Sequence, residues 1–369
     1  MKSSRYFSLF CVFFSALSAS VFAQEAKLPC DEIEEEIVHT TPKDEVKLIS
    51  EIKPAEPLKR LPPKYPISAA RAGAEGWVRM SYVIDTEGKV KDIVIDDFAG
   101  SDSFKRAAVR AVNKWEFSPA LKDGKPTEIC HNSVQLDFAI EGQRGARNSF
   151  IHSYKKIDSL IKEEQLDEAR AQLTKLHGKK DFNRYENAWL WNLEFELASL
   201  TDDVDRQKGS LRRILSSVQS HNGEDRIFSD EFITSLRAQL FVLEVKHGEY
   251  ANALDSAEKL KQSKDDETIA FITPILEKID THLKSSSTLS LDVKLKGETH
   301  FHKLARHQFA FANVEGELDS VEVRCDGKRE KYTVAEEHIW SIPESWGQCT
   351  VLIKGEKNTK FNLLEMNNA

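Results

Sequence analysis

The stretch from Pro62 to Pro126 reads PPKYPISAARAGAEGWVRMSYVIDTEGKVKDIVIDDFAGSDSFKRAAVRAVNKWEFSPALKDGKP. Within it, residues 77–84 carry apolar side chains at every even position, the period of a strand with one buried face. Asp85-Thr86-Glu87-Gly88 then interrupts the run, and a glycine at the end of such a break suits a hairpin turn. The sequence therefore predicts two antiparallel strands, the second over residues 89–96.

The next part of the stretch has the period of a helix. Residues 103–114 place apolar side chains three and four positions apart, with basic side chains on the opposite side. Ser101 or Ser103 is a suitable N-cap residue. Beyond a loop rich in Pro and Gly, residues 134–140 again alternate and predict a third strand. The predicted order of elements is β-β-α-β.

Several short anchors occur along this stretch in a fixed order. They are Tyr65-Pro66, Ala69-Ala70, Gly76-Trp77-Val78, Ile84-Asp85, Gly88-Lys89-Val90, Ala107-Ala108, Trp115, Phe117-Ser118-Pro119-Ala120 and Gly124-Lys125-Pro126. In these anchors the chain resembles the C-terminal domain of the TonB family over residues 60–141. The resemblance implies a β-β-α-β domain that binds protein partners and needs no cofactor.

The resemblance also implies where such a partner binds. In the family, a short extended segment of an outer-membrane receptor is added as a strand beside the last strand of the domain. In this chain the receiving strand is the run Asn132, Ser133, Val134, Gln135, Leu136, Asp137 and Phe138, continuing to Ile140. Ser133, Gln135 and Asp137 are expected on its exposed face. The alternatives are that the chain's own N-terminal segment or a second copy of the chain occupies this edge, so self-association stays open.

Residues 1–23 have the three parts of a secretory signal peptide. Lys2 and Arg5 precede an apolar run over residues 6–17, and Val21-Phe22-Ala23 offers small residues for cleavage. We therefore expect export to the periplasm with cleavage after Ala23. The alternative is an uncleaved anchor that holds a TonB-type energy transducer for receptor-mediated transport in the inner membrane, facing the periplasm.

Two features of the leader disfavour the anchored transducer. Serines interrupt its apolar run, which is shorter than the ~20 residues that a bilayer span prefers. The transducers that the chain resembles carry a histidine inside the anchor, whereas the first histidine here is His39. Protein sequencing that finds Gln24 at the N-terminus would rule the anchored form out.

Charge and cysteines fit an exported protein. The whole chain has a net charge of -8; removal of Lys2 and Arg5 with the leader makes it -10, which argues against nucleic acid as a partner. Four cysteines remain after cleavage, and an even number suits an oxidising compartment. Locality favours pairing Cys325 with Cys349 and Cys30 with Cys130. Alternatively, the second pair is unpaired or bonds another molecule.

After the leader, the sequence divides into four predicted segments, the last of which is residues 287–369. Residues 24–60 form an acidic lead-in, residues 61–142 the TonB-like domain and residues 148–284 a helical region. Within the helical region, residues 236–260 resemble a tetratricopeptide helix pair, and residues 163–176 repeat the pattern weakly. Such arrays offer concave protein-binding surfaces, but a plain helical spacer is an equal alternative.

Residues 287–369 show short alternating runs separated by turns, which predict a small β-sandwich closed by a disulfide. Large aromatic side chains such as Trp340 are expected in its core. His300, His302 and His307 form an H-x-H-x4-H cluster, but no further ligand completes a metal site, so surface histidines are expected. With no catalytic motif in the chain, the predicted class is a multi-domain α+β binding protein rather than an enzyme.

Overall fold

The computed structural model describes residues 52–142, 145–218, 226–263, 265–326, 328–335 and 338–367. The leader, Cys30 and most of the lead-in segment lie outside these residues. The described part of the chain is α+β and contains a mixed N-terminal unit, a run of helices and a C-terminal pair of sheets. The proposed domain boundaries at residues 61–142, 148–284 and 287–369 stay predictions.

The N-terminal part has the predicted β-β-α-β order, with small additional strands around it. Its elements are β1 (Ile52–Lys53), β2 (Pro57–Lys59), α1 (Ile67–Ala72), β3 (Gly76–Ile84), β4 (Val90–Ala99), α2 (Asp102–Val112), β5 (Glu116–Phe117), β6 (Ala120–Lys122), β7 (Lys125–Thr127) and β8 (Ile129–Phe138). The main sheet has the order β4-β3-β8, with both pairings antiparallel. The last strand therefore lies at an edge, and β4 lies at the other.

Local chemistry explains the turn and the helix of this unit. The Asp85 carboxylate accepts hydrogen bonds from the backbone N–H groups of Glu87 and Lys89, at 2.9 and 2.8 Å. Gly88 has a φ of +79°, and a Cβ there would lie 1.9 Å from the Phe117 carbonyl oxygen, so only glycine fits. Ser101 caps α2, as one of the two predicted candidates.

Seven helices follow among the described residues. They are α3 (Asn148–Lys162), α4 (Leu166–His177), α5 (Arg184–Leu200), α6 (Val204–Val218), α7 (Asp230–Lys246), α8 (Tyr250–Lys261) and α9 (Asp266–Lys284). Each packs against the next in the chain, and three hydrophobic clusters along the region bury the faces that they share. All seven lie within residues 148–284, for which the sequence predicted helices.

The C-terminal part, here called the two-sheet region (residues 289–366), contains two four-stranded antiparallel sheets. Its strands are β9 (Leu289–Lys294), β10 (Thr299–Lys303), β11 (Gln308–Glu315), β12 (Leu318–Cys325), β13 (Arg329–Thr333), β14 (Trp340–Ser341), β15 (Cys349–Gly355) and β16 (Lys360–Met366). The sheets have the orders β10-β15-β12-β13 and β14-β11-β16-β9 and share one hydrophobic cluster. Cys325 and Cys349 form the predicted disulfide, and Trp340 is buried and stacks on Phe309.

The main sheet is buried on both faces, whereas the alternation of residues 77–84 predicted one buried face. Val78 and Met80 face the core around α2, but Trp77 and Val83 on the opposite face are also buried. The reason is that distant elements pack on the sheet: α6 contacts β3 and β4, and β12 of the two-sheet region contacts β8. These contacts join residues far apart in sequence, and the described residues belong to a single compact unit.

Side-chain contacts define this seam between the main sheet and α6. The Trp77 indole N–H donates to Ser217 Oγ at 3.0 Å, and Arg79 donates to Ser216 Oγ at 3.2 Å. The Arg213 guanidinium binds the Asp97 carboxylate through Nε and Nη2 at 3.0 to 3.2 Å. The sheet is therefore held in one orientation against the helices.

Candidate functional site: the β8 edge

The edge strand β8 has a regular register over the residues that were expected to receive a partner. Seven consecutive residues, from Phe138 back to Asn132, pair with Gly76 through Tyr82 of β3 without interruption. The irregularity in this pairing comes only later, between Tyr82 and Ile84. Among the described residues, β3 is the one strand that pairs with β8. The outer side of β8 is thus a straight run of about 24 Å at the usual rise of ~3.4 Å per residue.

The side chains of β8 divide between two faces. Val134 and Phe138 are buried in the core, and Leu136 packs against it. Phe138 stacks on Phe104 of α2 with ring centroids 4.3 Å apart. These contacts hold the strand in place, so its backbone is presented on a rigid element.

The other face of β8 is less open than the sequence predicted. Ser133 and Asp137 are exposed, but Gln135 is half-buried and donates to the Ser216 carbonyl oxygen of α6 at 2.9 Å. The same amide also donates to Asp137 at 2.9 Å. Asn132 donates to the carbonyl oxygens of Tyr82 and Ile129 and so holds the start of the regular run.

Cys130 lies just before this run. Its side chain is buried, it forms no disulfide with a described residue, and burial raises the pKa of its thiol to about 12. A thiol with so high a pKa is a poor nucleophile at neutral pH. Since Cys30 lies outside the described residues, the pairing of these two cysteines stays a prediction.

The opposite edge, β4, is irregular and occupied by side-chain contacts. Its pairing with β3 shifts register twice, and Asp92 has a φ of +49°. Arg329 of β13 donates to Asp92 at 2.5 Å, while Asp97 is held by Arg213. Bulges and charged side chains are features that discourage the addition of a strand. Of the two edges, β8 is therefore the better receiver.

Asp96 of β4 gives a pH-dependent prediction. Burial raises the pKa of its carboxyl to about 6, although Ser81, Arg79 and Arg324 oppose the rise. In the unfolded chain the pKa is 3.8. The folded chain therefore binds this proton more tightly, and the contribution of Asp96 to the free energy of unfolding becomes more favourable as the pH falls from 7 towards 4. Asp96→Asn is expected to raise the free energy of unfolding at pH 8 by roughly 1 to 3 kcal/mol and by less at pH 5.

Urea denaturation at pH 5 and pH 8 measures the Asp96 effect. Asp123→Asn, at an exposed turn position, is the matched control because it removes the same charge without burial. An equal gain at both pH values, or the same gain in the control, would contradict the assignment.

His300, His302 and His307 do not form a surface cluster. His302 is buried and lies 2.8 Å from the Glu365 carboxylate, and His300 is half-buried. Burial lowers the pKa of His300 to about 4. The expectation of surface histidines was wrong for His302, because its ring is buried against the Glu365 carboxylate of β16. Among the described residues, no group of three or more His, Cys, Asp or Glu is arranged to hold a metal ion.

Glu75 has a structural role that no pattern in the sequence indicates. It is 1% exposed, and its carboxylate accepts the backbone N–H groups of Ile140 and Arg184 at 2.6 and 3.0 Å. Its own backbone N–H donates to Phe182 and its carbonyl oxygen accepts from Asn187. Glu75 thus fixes the end of the β8 segment to the start of α5. Only the tertiary structure brings these groups together.

Among the described residues, no helix combines the length and the hydropathy that a bilayer crossing requires.

Comparison with known proteins identifies the class of the N-terminal domain. Residues 62–140 match the family of Gram-negative bacterial TonB protein C-terminal domains, as the sequence anchors indicated. The match covers β3, β4, α2 and β8, so the regular edge strand is the last strand of a TonB C-terminal domain.

Individual relatives agree with this family. The chain is 37% identical over 70 residues to protein TonB of Pseudomonas aeruginosa, covering 19% of this chain and 20% of the relative. It is 30% identical over 92 residues to protein TonB of Vibrio cholerae, covering 24% and 36%. The solution NMR structure of the Pseudomonas aeruginosa TonB C-terminal domain is 31% identical and covers 25% of this chain and 90% of that one, with a TM-score of 0.22. The matched segment thus covers about a fifth of the Pseudomonas aeruginosa TonB protein and about a third of the Vibrio cholerae TonB protein.

Proposed function

We propose that this chain is a periplasmic protein of the cell envelope whose TonB C-terminal domain binds an extended segment of a protein partner as an added strand along β8. The observation that carries this proposal is the uninterrupted register of residues 132–138 at the edge of the main sheet. An added strand gains affinity from backbone hydrogen bonds along such an edge, and selectivity from alternate side chains. The family match makes an outer-membrane receptor the first candidate partner.

Two further features support a role in recognition by a fixed domain. The β8 edge is rigid, because Phe138 is stacked in the core and Gln135 is bonded to α6. The seam through Trp77 and Arg213 joins the same sheet to the helices. A partner bound to β8 is therefore held in a defined position relative to the rest of residues 50–369. This arrangement suits an adaptor that brings several proteins together.

The helical and two-sheet regions complete the proposed adaptor. Consecutive packing of α3 to α9 supports a tetratricopeptide-like array, and the cluster shared by the two C-terminal sheets supports a β-sandwich. Both architectures commonly serve as protein-binding scaffolds. We assign them the role of positioning further protein partners.

Site-specific crosslinking in cells tests the β8 proposal. A photo-crosslinking residue is placed at Ser133 or at Asp137, both exposed on β8, and crosslinked products are identified by mass spectrometry. We expect crosslinks from both positions to one extended segment of an outer-membrane protein. The matched control is Ser290, exposed on β9, which is the edge strand of a different sheet.

Two results would contradict the proposal. Yields from positions 133 and 137 no higher than from Ser290 would remove the edge as a binding site. Crosslinks from these positions to the same chain alone would show that the N-terminal segment or a second copy occupies β8.

A further inference from the structure

A second candidate site lies away from β8, between the end of β4 and the helices. It is a cavity of about 200 Å³ lined by Phe98 of β4, the loop between α4 and α5, Trp191 of α5 and Arg213 of α6. At ~30 Å³ for each water in the liquid, this volume equals about seven waters, or one group of the size of an amino acid. The site therefore suits a small ligand or the end of a chain.

The rim of the cavity carries two cations without partners. Lys179 and Lys180 are exposed in the loop between α4 and α5, and neither side chain forms an ion pair with another described residue. The nearby acids each have a closer cation, since Asp97 binds Arg213 and Glu194 bonds His177. Asp102 of α2, whose carboxylate also interacts with Lys180 at longer range, binds Lys105 at 2.7 Å. The net charge facing the cavity is therefore positive, and it comes from the two lysines.

The wall of the cavity offers aromatic surface and further donors. The Arg213 guanidinium lies over the Trp191 ring at 4.3 Å from its centroid, and the His177 ring lies 4.9 Å from the same indole. Asp97 uses Nε and Nη2 of Arg213, which leaves Nη1 without a hydrogen bond to the described residues. The indole N–H of Trp191 is buried and also has no acceptor there.

We propose that this cavity binds a carboxylate carried by a short peptide end, with an apolar side chain next to it. A planar carboxylate can take two parallel hydrogen bonds or salt bridges from neighbouring cations, here from Lys179, Lys180 and Nη1 of Arg213. The aromatic surface of Phe98 and Trp191 accommodates the adjoining apolar group. Inorganic phosphate is matched less well, because it has no apolar group to lie against the rings of Phe98 and Trp191.

The position of the cavity gives such binding a structural effect. Its lining comes from β4 on one side and from α4, α5 and α6 on the other. Arg213 belongs both to the cavity and to the seam with Asp97. A ligand that bridges the two sides stabilises the orientation of the TonB C-terminal domain against the helices, independently of any strand added at β8.

Titration of the full chain tests this proposal. The probe is the dipeptide N-acetyl-Phe-Ala with a free carboxylate, and its C-terminal amide is the matched control ligand; calorimetry and tryptophan fluorescence report binding. We expect the acid to bind at least tenfold more tightly than the amide. We also expect Lys179→Gln combined with Lys180→Gln to weaken the acid at least tenfold, with an unchanged melting temperature. Trp191→Phe is expected to remove most of the fluorescence change.

The control variant combines Lys122→Gln with Lys125→Gln, which removes two exposed charges from β6 and β7, far from the cavity in sequence. Its affinity for the acid is expected to equal that of the unchanged chain. Acetate and inorganic phosphate complete the series. Equal affinity for acetate and the peptide acid would mean that the apolar side chain contributes nothing to binding, and would overturn the assignment to a peptide end. Tighter binding of phosphate, equal binding of acid and amide, no binding, or no effect of the two cavity lysines would each overturn the proposal.

Discussion

Glu75→Ala is expected to lower the free energy of unfolding by about 3 to 5 kcal/mol. The substitution leaves the backbone N–H groups of Ile140 and Arg184 buried without their acceptor, which costs ~1–3 kcal/mol for each group. Both bonds are present in the folded chain at 2.6 and 3.0 Å. Because Ile140 follows β8 and Arg184 begins α5, the loss of these bonds weakens the attachment of the TonB C-terminal domain to the helices. Chemical denaturation followed by circular dichroism and tryptophan fluorescence measures the change.

Two variants make the Glu75 prediction specific. Glu75→Gln retains one acceptor oxygen and is expected to lose about half as much stability. Glu87→Ala, at an exposed position of the same domain, is expected to change the free energy of unfolding by less than ~0.5 kcal/mol. A loss for Glu75→Ala as small as that of Glu87→Ala would mean that other groups or water satisfy these backbone donors.

Glu249→Ala is expected to have an effect of similar size, about 3 kcal/mol, in the helical region. Glu249 bonds both Lys208 and Arg212, and Arg212 also donates to Glu244 at 2.8 Å. The Lys208 side chain is 8% exposed, so its charge would remain largely buried. Its remaining ion-pair partner among the described residues would be Asp205, 3.7 Å away, whose side chain is 59% exposed and therefore contributes less. Thermal and urea denaturation at pH 7 measure the loss.

The lowered pKa of Glu249 also makes the free energy of unfolding depend on pH in acid. Burial alone would raise the pKa of Glu249, but Arg212 and Lys208 outweigh it and lower the pKa to about 2, from 4.5 in the unfolded chain. This stabilisation is therefore complete above pH 4.5 and is lost as the pH falls towards 2. Glu249→Ala is expected to reduce stability at pH 7 much more than at pH 2.5.

A double variant and a control define the outcome for Glu249. Lys208→Met together with Glu249→Leu is expected to recover part of the loss, because no unpaired charge is then buried. Glu258→Ala on the exposed side of α8 should have little effect. If Glu249→Ala and Glu258→Ala are equally stable, the buried pairs contribute nothing measurable.

Features that depend on neighbours in sequence could be predicted before the structure. The turn from Asp85 to Gly88 and the cap at Ser101 rest on residue types with strong local preferences, and both are present. The disulfide between Cys325 and Cys349 followed from their closeness in the chain. The TonB C-terminal domain was identified from anchors within 65 residues of one another, and the family match agrees.

Features that depend on distant segments could not be predicted in the same way. Trp77 alternates with core residues and was expected on an open face, but α6 covers it from 140 positions further along the chain. Gln135 was expected to be exposed for the same reason and instead bonds Ser216. No pattern in a single sequence indicates which helix packs on which sheet. The candidate strand β8 could be predicted from the sequence. The contact of Gln135 on that strand with α6 could not.

The uninterrupted register between β3 and β8 has a mechanical consequence. Antiparallel hydrogen bonds run perpendicular to the strands, so a pull along β8 shears the bonds of residues 132–138 together rather than opening them one after another. At the far end of the strand, Ile140 is tied to Glu75 and through it to Arg184 of α5. Tension applied by a bound partner would thus be shared between the sheet and the helices and resisted by many bonds in parallel.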